Sequence, residues 1–337
     1  MFENRKIRWI FSLSALLIVL VITSLLALCY GELKLSIPEL IDVINRKSGI
    51  EYSIVMNIRL PRLLLGFAVG GSLSISGLVL QAIYRNPLVE PYTLGISGGA
   101  ALGVALGIVF GATTVFSVFS LPIYGIIGAS VTIIIMYFLS MRRTHLNINS
   151  ILLTGVMISF ISSSAIMFLL STTSSAKLQN IIFWTMGSLE ESNHTLIYIV
   201  LATSLMGLAV FYFFVRQLNA LRLGESHAKY LGVNTSLIIK ILFIVASIIT
   251  GISVATAGVI GFVGLVVPHL LRYFIGNDYR ILLISTFLGG AIFIILSDVV
   301  ARTIILPNEL PIGVITGIIG GTIFIIAISK SNKLLKF

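Results

Sequence analysis

Apolar residues in this chain come in long runs of about twenty, and the charges fall where the runs stop. A helix needs roughly 20 apolar residues to cross a hydrocarbon core about 30 Å thick. About ten stretches meet that length: 9–30, 62–83, 93–111, 121–140, 150–170, 196–215, 239–257, 259–275, 281–302 and 311–329. Backbone polar groups in lipid must be bonded within the segment itself, so runs of this kind form helices. The expectation is an all-α polytopic membrane protein, one transmembrane domain over residues 1–337. Its longest polar connection on the expected cytoplasmic side is 216–240. Only 10% of residues are charged, against 57% hydrophobic.

The net charge of +10 could suggest a nucleic-acid partner, but its distribution suggests a bilayer. With a cytoplasmic amino terminus and ten alternating spans, fifteen of the 22 lysines and arginines fall on the cytoplasmic side. That is the bias the positive-inside rule describes. Both termini come out cytoplasmic, in a cell (inner or cytoplasmic) membrane, and no nucleic acid is expected. Arg5, Lys6 and Arg8 before Ile10 to Leu28 resemble a signal peptide. The run is too long for one, and it reads as an uncleaved first span. The single cysteine, Cys29, excludes an intrachain disulfide. His145, His194, His227 and His269 are scattered, so no metal site is expected.

Pro38, Pro61, Pro87, Pro91, Pro122, Pro307 and Pro311 sit in loops or first turns, where a missing N–H costs little. Pro268 lies inside segment 259–275 and is expected to kink or break it. Glycines recur every fourth residue at Gly66 and Gly70, at Gly99, Gly103, Gly107 and Gly111, and at Gly313, Gly317 and Gly321. Such spacing suits close helix packing, with direct lining of a path as the alternative. Ser72, Ser74, Ser76, Thr154, Ser159, Ser162, Ser163 and Ser164 either bond between helices or line a weakly polar channel.

Arg59 and Arg62 flank Pro61 at the expected outer mouth of the second span. They are either snorkelling anchors or fixed charges offered to an acidic partner. The motif series continues with Ser76, Gly77 and Gln81, then Arg85, Asn86, Pro87, Leu88 and Pro91, then Leu94, Gly95, Ser97, Gly99 and Ala100. Later come Gly258 to Arg272 with Pro268 and His269, then Asp298, Ala301 and Arg302, then Glu309, Pro311, Gly313 and Thr316. In this order the motifs resemble the permease family of metal-chelate ABC importers, which handle iron–siderophores, haem and cobalamin. The likeness covers nearly the whole chain. One departure is Thr322, where that family carries a proline between Gly321 and Phe324; the last helix should be straighter for it.

The resemblance implies roles. Arg59, Arg62 and Arg302 would dock an external substrate-binding protein through its carboxylates. Gly224, Glu225, Ala228, Leu231 and Gly232 match the family's coupling helix, which seats in a nucleotide-binding subunit; Leu221, Leu223, Ala228 and Leu231 would form its apolar face. Gln81, Asn86, Pro87, Ser97, Gly99, Pro268, His269 and Pro311 are candidates for the path or for packing. The dipeptide Gly-Lys is absent, so no phosphate-cradling loop can be argued. The chain would bind no cofactor; ATP and Mg would sit on two ATP-binding cassette subunits beneath two copies of this chain. No catalytic residue is expected. A secondary transporter would show intramembrane charges and broken helices, and Pro268 with Gly258, Gly261 and Gly264 is the one such break. An intramembrane enzyme would need converging ionisable groups, for which Asp298 and His269 are the only candidates. The cargo is open among the chelates, with molybdate or tungstate as an alternative.

Overall fold

The computed structural model describes residues 2–111, 119–141, 148–191 and 193–329. Arg142, Arg143, Lys330, Lys333 and Lys336 of the charge tally, and His145, lie outside the described residues. Among the described residues there are helices and turns and no strand. In order they are α1 Phe2–Cys29, α2 Ile37–Arg46, α3 Ile50–Ile54, α4 Leu60–Tyr84 and α5 Ile96–Val109. Then come α6 Ser120–Met136, α7 Ile148–Thr172, α8 Ser175–Thr185, α9 His194–Phe213, α10 Val215–Arg222 and α11 Glu225–Tyr230. The last four are α12 Thr235–Ala257, α13 Val263–Ile275, α14 Tyr279–Thr303 and α15 Ile312–Ser329.

Each expected segment holds one of these helices. Seven are long and apolar enough to cross a bilayer, and α5, α13 and α15 are shorter apolar helices. The second crossing is longer than its apolar run suggested. A π turn over Val55–Arg59 joins α3 to α4, making one continuous rod from Ile50 to Tyr84. Most of it is enclosed: 83% of its most apolar stretch is buried, against 11% for α1. A helix apolar all round belongs at the centre of a bundle, and α4 is surrounded by α9, α12, α13 and α14. The α5–α6–α7 layer attaches through α12, and α1 lies outside against α14.

Glycines set the crossings. A Cβ at Gly70 would strike the Gly290 carbonyl on α14, and one at Gly77 the Gly264 carbonyl on α13. Gly99, Gly103 and Gly107 face Thr132, Gly128 and Tyr124 on α6. These backbones approach closely because no side chain intervenes, which supports the packing reading. Gly317 has nothing within 4 Å, so its face of α15 is open in the single chain.

The break near Pro268 lies elsewhere than expected. Helix α12 stops at Gly258, whose positive φ and crowding against the Trp184 carbonyl leave no room for a Cβ. The chain is irregular over 258–262, and α13 then runs through Pro268 unbroken. Helix α15, lacking the family's proline, is continuous over Ile312–Ser329.

Candidate functional site

Three arginines converge at the amino-terminal end of α4. The π turn places Arg59, the first turn of α4 places Arg62 beyond Pro61, and the last turn of α14 places Arg302. They are only 3, 5 and 5% exposed, which corrects the picture of charges standing free at a surface. Each has partners inside the bundle, although the Nε atoms of Arg62 and Arg302 are buried without a hydrogen bond of their own. Arg59 donates to the carbonyls of Leu28 (2.6 Å), Cys29 (3.2 Å) and Leu33. Arg62 donates to Glu190 and, at 2.6 Å, to Glu309. Arg302 lies 2.9 Å from Asp298, one turn back on α14, and donates to the Ala27 carbonyl at 3.2 Å. The bilayer explains this arrangement: a guanidinium withdrawn from water needs fixed acceptors.

Glu190 and Glu309 precede α9 and α15, so Arg62 ties three segments together. Part burial pushes the Glu190 carboxyl above its usual range, outweighing the attraction of Arg62. Burial acts the same way on Glu309, but the hydrogen bond and charge of Arg62 hold it below the usual range. A groove of about 560 Å3 opens beside the cluster, lined by Glu32, Glu51, Arg59, Arg62, Arg302 and Glu309 among others. Its rim therefore presents carboxylates as well as arginine edges.

The other end of α4 carries the second cluster. Gly224 has φ 114° and opens α11, which ends before Gly232 at φ 81°. Glu225 accepts from Lys229 (2.8 Å) and from the Thr235 hydroxyl (3.3 Å), so the short helix is braced on both sides. The expected apolar face divides. Leu221 and Ala228 are buried and fasten the segment to the bundle, while Leu223 (59%), Tyr230 (91%) and Leu231 (65%) are exposed. The surface on offer is thus Leu223, Tyr230 and Leu231.

Between these ends, two of the path-or-packing candidates form one device. Pro268 has no N–H, so the carbonyl four residues back, on Gly264, loses its helical donor. Gln81 Nε2 supplies the missing bond at 3.0 Å, and its Oε1 accepts from Arg272 at 2.6 Å. Gln81 is wholly buried. Gln81→Leu is expected to lower stability by about 1–3 kcal/mol through the orphaned groups. Adding Pro268→Ala, which restores the helical donor, should recover part of that loss in thermal unfolding; a double variant no more stable than the single would remove this account.

The remaining candidates sit in turns or among packed helices. Asn86 Oδ1 accepts from the Leu88 N–H at 2.9 Å, forming the turn that holds Pro87. Ser97 and Gly99 are buried in the first turns of α5, and Pro311 heads α15. His269 is buried beside the Phe324 ring, centroids 6.0 Å apart. Three of the candidate hydroxyls bond within the bundle: Ser74 donates to the Thr286 and Gly71 carbonyls, Ser76 to Ala246, and Ser159 to Gly155 and Tyr92. Among the described residues no group of three His, Cys, Asp or Glu side chains could hold a metal.

Sequence reasoning missed three things. The carboxylate partners of Arg62 had no local signal, since Glu190 and Glu309 are far away in sequence. Glu90, which falls between two expected spans, is buried against the 258–262 break, and burial pushes its carboxyl up to about 7 although the Phe262 backbone N–H favours the anion. Beside it, Tyr92 Oη accepts from the Ile260 N–H at 2.6 Å. The third is α2, which Ser36, Pro38 and Glu39 announce as a capping box.

A helical bundle with seven helices long and apolar enough to span a bilayer, and with apolar side chains over its outside, defines a multi-pass membrane protein. The sequence profile of the FecCD transport family matches residues 17–330, and the chain belongs to that family. It is 38% identical over 336 residues to the hemin transport system permease protein HmuU of Yersinia pestis, covering 98% of each. It is 36% identical over 333 residues to the vitamin B12 import system permease protein BtuC of Salmonella arizonae, covering 98% of this chain and 97% of the other. A solved inward-facing transporter assigned to the metal-chelate ABC type superposes with a TM-score of 0.85 at 32% identity, covering 95% of this chain and 99% of that one. The chain is therefore a transport permease.

Proposed function

We propose that this chain is the membrane-spanning subunit of an ATP-driven ABC importer that passes a metal chelate inward from an external binding protein. One observation carries the reading: the arginine cluster and the exposed Leu223–Tyr230–Leu231 surface occupy opposite ends of α4. From Arg62 to Arg85 a helix rises about 35 Å, more than a hydrocarbon core. One end then meets the outside and the other the cytoplasm. All ten helices that fill the expected segments cross, both termini are cytoplasmic, and the short ones span with help from the turns beside them.

At the outer end, the binding protein's carboxylates would compete with Glu190, Glu309 and the backbone carbonyls for the three arginines. At the inner end, the exposed surface would seat in one of two ATP-binding subunits, which hold ATP and Mg. The open face of α15 around Gly317, with Ile318 64% exposed, suits a second copy across a shared path. The names of the hemin and vitamin B12 relatives support a bulky metal chelate of the haem, cobalamin or iron–siderophore type as cargo.

The test is reconstitution in vesicles, first alone and then with candidate ATPase and binding subunits. Uptake of hemin or cobalamin is expected only from the full set with ATP. Nucleotide hydrolysis or solute pumping by the isolated chain would overturn the proposal.

A further inference from the structure

Helix α2 carries two apolar strips, and the fold uses only one. Leu40 and Val43 are buried against Cys29 and Val55. Ile37, Ile41 and Ile44 lie on the adjoining face and are 55, 54 and 42% exposed. Steps of four and three residues set them in one line along a helix. The opposite face is charged: Asp42 and Arg46 form an ion pair at 3.7 Å, and Glu39 closes the capping box with Ser36. The caps at Ser36 and Lys47 fix the helix by local bonds, so the free isoleucine strip is a designed surface of a folded element.

We infer that α2 is an interfacial helix that lays Ile37, Ile41 and Ile44 into the bilayer surface beside α1. Helix α2 adjoins a lipid-facing helix. Helix α2 begins shortly after α1 ends, and its buried strip is fastened to that end through Cys29. Helix α1 itself shows Val21 (58%), Ile22 (50%) and Leu25 (37%) to its surroundings, which in a multi-pass membrane protein are lipid. The same lipid reaches α2 where the hydrocarbon gives way to headgroups. There an amphipathic helix settles, apolar strip inward and charges toward water. The leaflet is the outer one on the orientation proposed above.

The mooring bears on the arginine cluster. The link between α1 and α2 carries the Leu33 carbonyl that, with Leu28 and Cys29, receives Arg59. A lipid-bound α2 holds that collar of carbonyls at a fixed depth, and with it the wall of the groove at Gly31, Glu32 and Leu33.

The test needs no transport. Single cysteines are introduced as Ile37→Cys, Ile41→Cys, Ile44→Cys, Asp42→Cys and Asn45→Cys in a Cys29→Ser background, labelled with a fluorophore and reconstituted. Cys29 is only 4% exposed, so the same labels are also placed in the chain that retains it, in case the background variant does not fold. Bromine on the lipid chains is expected to quench labels at 37, 41 and 44 at least threefold more than those at 42 and 45, and aqueous iodide the reverse. Equal iodide quenching at all five positions overturns the inference. So does shielding of the strip from both quenchers, which would mean that a second copy or a binding protein covers it.

Discussion

Replacing Glu190 and Glu309 together by alanine is expected to destabilise this protein more than replacing Arg62 by methionine. The three groups form one ion cluster, but its burial is lopsided: the Arg62 side chain is 6% exposed, while Glu190 and Glu309 are 61 and 43% exposed. Removing the arginine leaves two carboxylates that reach water. Removing the carboxylates leaves a buried cation whose remaining nearby counter-charge, Asp298, is already paired with Arg302. Breaking a buried pair so that one charge remains costs about 3–5 kcal/mol. That range belongs to the double carboxylate variant, whereas Arg62→Met should cost about 1–2 kcal/mol by the same argument with the stranded charges hydrated. Unfolding of purified protein in detergent would measure both, and a reversed order would show that the carboxylates carry the cluster. The same burial bears on docking experiments. Charge reversal at Arg59, Arg62 and Arg302 would disturb the bundle before reporting on any partner, so such variants need a stability measurement beside the transport assay.

The second large effect is expected at the other end. Tyr230→Ala with Leu231→Ala should leave the permease as stable as before, because 91 and 65% of these residues stand in solvent. It should weaken association with the ATP-binding subunit at least 30-fold. Exposed aromatic anchors that fill a partner's pocket are worth about 2 kcal/mol or more, and 1.4 kcal/mol is tenfold. Replacing 225–232 by a flexible linker should go further and abolish transport-linked ATP hydrolysis. Undiminished association of the double alanine variant would remove these side chains from the coupling surface. A loss of stability in the variant would mean that they are packing residues after all.

What could be read in the sequence followed the length scale of the information. Apolar runs and their breaks mark ten apolar helices, and seven of them have the length that a bilayer imposes. The positions of Gly70, Gly99 and Gly103 foretell close crossings because only small residues permit them. The segment proposed to couple to the ATPase is bounded by Gly224 and Gly232, which supply the positive φ at its two ends. Contacts between distant segments were another matter. Nothing near Arg62 says that Glu309 will neutralise it, and nothing near Pro268 says that Gln81 will stand in for the missing donor. Nor does composition show which leucines of 216–240 turn inward; Leu221 and Leu223 are chemically alike and end on opposite sides of the surface. Charge in a membrane sequence was read as exposed, and here the shortage of water led to the opposite result.

The π turn at Val55–Arg59 has a consequence for how such chains can vary in length. One surplus residue is absorbed there without interrupting the rod, and each residue of a helix advances about 100° around its axis. Trimming the surplus would restore ordinary winding and swivel everything upstream by more than a quarter of a revolution, detaching Arg59 from its collar while Arg62 stayed put. Insertions and deletions within the rod between Ile50 and Arg62 are therefore expected in whole turns, and the spacing itself is part of the lock.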